Sequence, residues 1–97
     1  METATRGSTV NTGHPCDVTT ELDTPSQSSV FIGGQLVATV GDSTVVHNHL
    51  VGSCVPHTAA ISSGSSTVFI GGSQIARKGD SCDLGSITSG STTVFVG

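Results

Sequence analysis

One cassette, used three times, constrains this chain more than any other feature. Val30-Phe31-Ile32-Gly33-Gly34 returns as Val68-Phe69-Ile70-Gly71-Gly72, and again, shortened, as Val94-Phe95-Val96-Gly97. A Gly-Asp pair follows both complete copies at the same offset, as Gly41-Asp42 and Gly79-Asp80. Such reuse at fixed spacing specifies architecture before local propensity does. It predicts a single domain with approximate internal threefold symmetry. The copies also hold all three phenylalanines, and with them most of the large apolar side chains.

The cassettes read as strands. Residues 28–32, 66–70 and 92–96 are β-branched and bounded by Gly or Ser. Gly33-Gly34 marks a tight turn, with residues 35–40 as the return strand. Gly71-Gly72 and residues 73–78 repeat that hairpin, whereas the third copy stops at Gly97 without a return strand. No long apolar period of 3.6 residues is visible, so the expected class is all-β. Residues 1–7 read as a lead-in to a domain spanning 1–97.

Only 34% of the 97 residues are hydrophobic and 10% are charged. A core this lean seldom stabilises a small scaffold alone, so a metal, a disulfide or a partner is expected. The net charge is −4 and the basic residues are Arg6, Arg77 and Lys78. Without a basic stripe, a nucleic-acid footprint is absent. No apolar run approaches a membrane helix, and the first residues lack the apolar stretch of a secretory signal.

Every His and Cys lies in the segments that join the hairpins. Residues 7–27 hold His14 and Cys16; residues 43–63 hold His47, His49, Cys54 and His57; residues 81–89 hold Cys82. Imidazole and thiolate together suit zinc. No CxxC pair is present, so this is no zinc finger or ribbon. Threefold-related connections converge at one end of the axis, which favours one shared, closed structural site. Three cysteines divide simply into one ligand and a possible Cys16–Cys54 bridge, the alternative being free thiols.

The order of these pieces resembles the PAAR-repeat family, whose members cap the spike of contractile injection machines. The resemblance is carried by Thr12-Gly13-His14-Pro15-Cys16, by Gly41-Asp42 followed by His47, and by His57 ahead of residues 61–69. Gly79-Asp80-Ser81-Cys82 and the closing residues 90–97 complete it. Instead of the literal Pro-Ala-Ala-Arg, the chain has Leu36-Val37-Ala38-Thr39 and Gln74-Ile75-Ala76-Arg77. The resemblance implies a small cone of β-hairpins with one structural ion near its tip, zinc favoured and iron possible. Carried over, the ligands are His14, His47, His57 and Cys82, with His49 a polar neighbour.

The resemblance further implies a trimeric β-helical spike as partner, one chain per trimer, in a phage tail or a type VI secretion system. Val30, Phe31, Ile32, Val68, Phe69, Ile70, Val94, Phe95 and Val96 are the expected contact residues, by strand addition. The role would be to pierce a target membrane, met transiently, after synthesis in the cytoplasm and delivery by the machine. With no further domain expected, the chain reads as a bare tip and not as an effector. An enzyme would need an open metal position, with His49 as base or Asp42 or Asp80 as carboxylate partner. The recurrence of Gly-Asp with the cassette suits a turn role better. A small metal-binding β-protein unrelated to injection is the other alternative.

Overall fold

β-Branched runs cut by glycine give short strands, and the computed structural model, which describes residues 1–97, contains ten and no helix. They are β1 (Thr9–Asn11), β2 (Thr19–Glu21), β3 (Phe31–Ile32), β4 (Gln35–Leu36), β5 (His47–Val51), β6 (Ser53–His57), β7 (Phe69–Ile70), β8 (Ser73–Gln74), β9 (Ser81–Cys82) and β10 (Gly85–Ile87). All pairings are antiparallel, with a four-stranded sheet β2-β1-β10-β9 and the hairpins β3-β4, β5-β6 and β7-β8. Of 44 backbone hydrogen bonds, 29 fall outside these strands, so the connections between repeats carry most of the order.

Those connections close a ring. The amide of Ala4 donates to the carbonyl of Ala76 (2.9 Å), Ala76 to Ala38 (2.9 Å) and Ala38 to Ala4 (3.0 Å). All three alanines are fully buried. Flanking bridges Thr5↔Val37, Thr39↔Ile75 and Thr3↔Arg77 complete three equivalent contacts. Alanine suits the centre because three backbones meet there and a larger side chain would force them apart.

The missing return strand of the third cassette is the N-terminus. Glu2 pairs with Phe95, and the Thr3 amide donates to Val94 as Val37 does to Val30 and Ile75 to Val68. Residues 1–7 are therefore not a separate lead-in: Thr3 and Ala4 are core, and Gly7-Ser8 is a third copy of Gly41-Asp42 and Gly79-Asp80. Gly7, Gly41 and Gly79 have φ of 85°, 97° and 94°, a conformation that glycine adopts without penalty. At the next position a side-chain oxygen accepts the amide three residues back: Ser8 from Thr5 (3.0 Å), Asp42 from Thr39 (2.8 Å) and Asp80 from Arg77 (2.7 Å). The recurring aspartates thus bond the backbone of a turn. Asp80 also takes a two-pronged ion pair from Arg77, which raises the Arg77 pKa through that hydrogen bond.

Beyond the turns the core repeats the symmetry once more. Leu22 pairs with Thr44, Ile61 with Cys82 and Ile87 with Val10, all six buried. Phenylalanine is absent from this core. Phe31, Phe69 and Phe95 are 56%, 52% and 60% exposed, on hairpins that stand on the opposite side of the alanine ring. The joining segments run past the core toward the other end of a body measuring 39 × 22 × 22 Å. The longest, between Asp42 and Ile61, forms the β5–β6 hairpin.

Asp42 tests the turn role. Its carboxylate accepts the Thr39 amide and hydroxyl and the Ser26 amide. Asp42→Ala leaves buried donors without partners and is expected to cost about 2 kcal/mol in urea unfolding. An unchanged midpoint would remove these turns from the stabilising framework.

Candidate metal centre

Four side chains meet directly beyond the core layer, each reached within four residues of a core position. His14 follows Val10 on the loop after β1, His47 follows Thr44 at the start of β5, His57 ends β6 ahead of Ile61, and Asp83 follows Cys82. The register pairs His47 with His57, so both rings lie on one face of the hairpin. His14 Nε2 lies 2.7 Å from Asp83 Oδ2, His47 Nε2 2.8 Å and His57 Nε2 3.3 Å. One ligand-type atom from each of the four lies within 4.8 Å of the others. The Asp83, His14 and His47 side chains are buried, whereas His57 is 29% exposed.

Two local features bring the loops together. Asp83 is the first residue of the two-residue β9–β10 turn and has φ 57°, which aspartate tolerates. Gly13 and Gly85 lie back to back beside His14 and Asp83. A Cβ on Gly13 would strike the Leu84 carbonyl, and one on Gly85 the Asn11 carbonyl. Only glycine lets these backbones approach closely enough to share the site.

The donor chemistry calls for a cation. His14 Nδ1 donates to the Pro15 carbonyl (3.1 Å) and His47 Nδ1 to the Val45 carbonyl (3.0 Å). In a neutral imidazole this leaves Nε2 with a lone pair. Lone pairs of His14 and His47 then face each other at 3.3 Å and face the carboxylate oxygen of Asp83. Such a cluster is repulsive unless protons or a metal ion sit within it. Three imidazoles and one carboxylate suit a divalent transition metal, and the Nδ1 contacts are the outer support such ligands require.

Protons play that part without metal. Burial disfavours the charged form of His14, but the Pro15 carbonyl and Asp83 outweigh it and raise its pKa. Burial likewise opposes ionised Asp83, but hydrogen bonds from His47 and His14 outweigh it and lower the pKa. His49 shifts down, from desolvation and then from repulsion by His14 and His57.

The remaining expected ligand lies elsewhere. Cys82 is fully buried as the threefold counterpart of Val10 and Thr44, not among the converging donors. Desolvation, with a contribution from the Asp83 charge, pushes its thiol up to about 11, which disfavours thiolate. Its neighbour Asp83 occupies the fourth place. Sequence reasoning missed Asp83 because an exposed-looking aspartate in a turn carries no ligand signal. One signal was available: a strand that buries Cys82 must send the next residue elsewhere, and the turn aims it at the histidines. His49 stacks on His14, with ring centroids 4.0 Å apart, outside the four. Cys16 and Cys54 form a disulfide that ties the His14 loop to β6. A cross-link over 38 residues contributes about 4 kcal/mol by restricting the unfolded chain. The expected partner residues lie at the other end, Val30, Phe31, Phe69, Val94 and Phe95 exposed and Ile32, Val68, Ile70 and Val96 half-buried. A cavity of about 600 Å³ opens beside Thr5, Arg6 and Ser89, and none of the histidines lines it.

The PAAR motif family model matches residues 3–87. The chain belongs to the PAAR-motif family. No individually curated protein matches it. The match begins at Thr3, one residue before the ring, and ends at the last core residue, Ile87, so it covers the ring, the core and all four donors. PAAR-motif proteins are structural components of the spike tip of contractile injection machines, which places this chain's role there.

Two predictions separate the contributions. Asp83→Ala is expected to lower bound metal per chain well below one, whereas Cys82→Val keeps it near one by elemental analysis. The reverse pattern would return the thiol to the ligand set. Stability against pH should also differ with metal. Raised His14 contributes to metal-free stability below its unfolded pKa, and this is lost as pH rises through the folded value. Lowered Asp83 contributes above its unfolded pKa, and this is lost on acidification. Chelated protein is therefore expected to be most stable in mild acid, between the two, and metal-loaded protein near neutrality, where protons no longer compete. Identical pH–melting curves for the two forms would contradict this.

Proposed function

We propose that this PAAR-motif protein is the metal-stabilised tip of a contractile injection spike, in a phage tail or a type VI secretion system. It caps a trimeric β-helix with one chain and leads it through the target membrane. The observation that carries the reading is the threefold register of the base. Three hairpins carry Phe31, Phe69 and Phe95 outward at equivalent positions around the alanine ring. A single chain can therefore offer the same apolar contact to each of three identical partner chains. The short edges β3, β7 and residues 94–96 suit continuation of the partner's strands.

The ion is structural in this reading, zinc favoured and iron possible, held by His14, His47, His57 and Asp83. When bound it neutralises four inward-facing acceptors and joins three segments that are distant in sequence. In a domain with so lean a core, that joining opposes unfolding under load. All four donors come from the protein, as in closed structural sites, and the surface cavity lies apart from them. Mechanical work of this kind needs shape and stiffness rather than bond chemistry. The spike carries the protein out of the cell that makes it.

Mass measurement of the complex with a trimeric β-helical spike protein tests the reading. One chain per three spike chains is expected, and Phe31→Asp with Phe69→Asp and Phe95→Asp is expected to abolish the complex. Three chains per trimer, or no complex with the unaltered chain, would overturn it.

A further inference from the structure

The three glycine turns differ at one position. Asp42 and Asp80 each carry two carboxylate oxygens, whereas Ser8 carries a single hydroxyl oxygen. In each aspartate Oδ2 accepts the amide three residues back. Oδ1 then reaches the segment that faces the turn: Asp42 accepts the Ser26 amide (3.0 Å), and Asp80 the Ser63 hydroxyl (3.3 Å). Ser8 spends its oxygen on the Thr5 amide, and no hydrogen bond joins it to the facing residues 89–93, where Ser89 Oγ accepts from Thr9 instead. In the Asp80 turn the Arg77 side chain also crosses to the Gly64 carbonyl (3.2 Å). Its counterpart in the first turn is the shorter Thr5. The cavity of about 600 Å³ opens at this one unbridged turn, with Ser8 on one side and Ser89 and Ser91 on the other.

We propose that this cavity binds a carboxylate carried by a peptide, as an acidic side chain or as a chain terminus, and that Arg6 is its counter-charge. No Asp or Glu lines the cavity, and Arg6 is its sole charged residue. The Arg6 side chain is exposed and makes no hydrogen bond or ion pair within the chain, unlike Arg77, which is spent on Asp80. A guanidinium presents paired donors that match a carboxylate. The ligand's carboxylate thus supplies to the first turn what Asp42 and Asp80 supply to the other two. Ile32 is the one hydrophobic residue in the walls, so an apolar ligand gains little there. A cavity of this size holds more than a single carboxylate group, and the Gln35 amide and the wall hydroxyls suit the peptide main chain beside it. The site occurs once per chain, because the other two turns are closed by their own aspartates. On a threefold body it therefore recruits its ligand one to one. The inference goes beyond spike capping and does not depend on it.

Two short peptides test it on the metal-loaded full chain. In one, a glutamate stands between glycines and both ends are blocked. In the other, a glycine chain blocked at its N-terminus ends in a free carboxylate. At low salt, where an exposed ion pair is least screened, at least one is expected to shift the amide resonances of Thr5, Ser8 and Ser91 saturably, in the millimolar range. The peptide that does so names the source of the carboxylate. Arg6→Gln, on an exposed side chain, is expected to weaken binding about tenfold while the fold persists. Ser8→Asp gives the turn its own second oxygen, and is expected to abolish binding and raise the urea midpoint. No saturable shift with either peptide overturns the proposal, whatever Ser8→Asp does to stability, and leaves Ser8 as a weaker turn residue only. Equal binding of the glutamine counterpart, or an Arg6→Gln variant that binds as well as the unaltered chain, also overturns it. Inorganic phosphate bound more tightly than both peptides would make this a general anion site and overturn the carboxylate assignment.

Discussion

Three alanine backbones, each donating to the next, hold this structure together. The ring Ala4, Ala76, Ala38 is cyclic, so no one of its strands is an edge and none can slip without breaking two neighbours. Everything else is placed by distance from it. On one side the hairpins project Phe31, Phe69 and Phe95. On the other, glycine turns reverse the chain and deliver Val10, Thr44 and Cys82 to a second layer of three. A small apolar inventory suffices because two layers of threes need few side chains.

The symmetry ends at the cluster of His14, His47, His57 and Asp83, and it ends because the three connections differ in length. The segment after Asp80 returns to Ile87 almost at once, that after Ser8 goes further to Leu22, and that after Asp42 furthest to Ile61. Three equal loops would have given three equal donors. Instead one loop supplies His14, one supplies both His47 and His57, and the shortest can reach only with its turn residue, Asp83. The asymmetry also makes β5–β6 the longest hairpin among the three connections.

Two kinds of staple hold that end. The Cys16–Cys54 bond closes the loop against the hairpin, and the donor cluster joins both to the β9–β10 turn. Only the second depends on what neutralises it, because its acceptors repel one another unless protons or a metal ion sit among them. An ion held there would couple stability to metal content by electrostatics as well as by chain connectivity.

Much of this was legible in the sequence. The cassette repeat determined the all-β class and the threefold plan, because residues of like pattern at like spacing pack alike. Confinement of every histidine to the connections determined which end holds a site. Three of the four clustered side chains, His14, His47 and His57, could be named on family pattern. Tertiary structure decided the rest. That Thr3 and Ala4 complete the third repeat depends on a pairing between opposite ends of the chain, which no local pattern records. That Cys82 fills the core while Asp83 faces the histidines depends on a one-residue difference in register. In a strand one residue is the whole difference between two faces, and only the packing of the chain against Ile61 and Val10 selects between them.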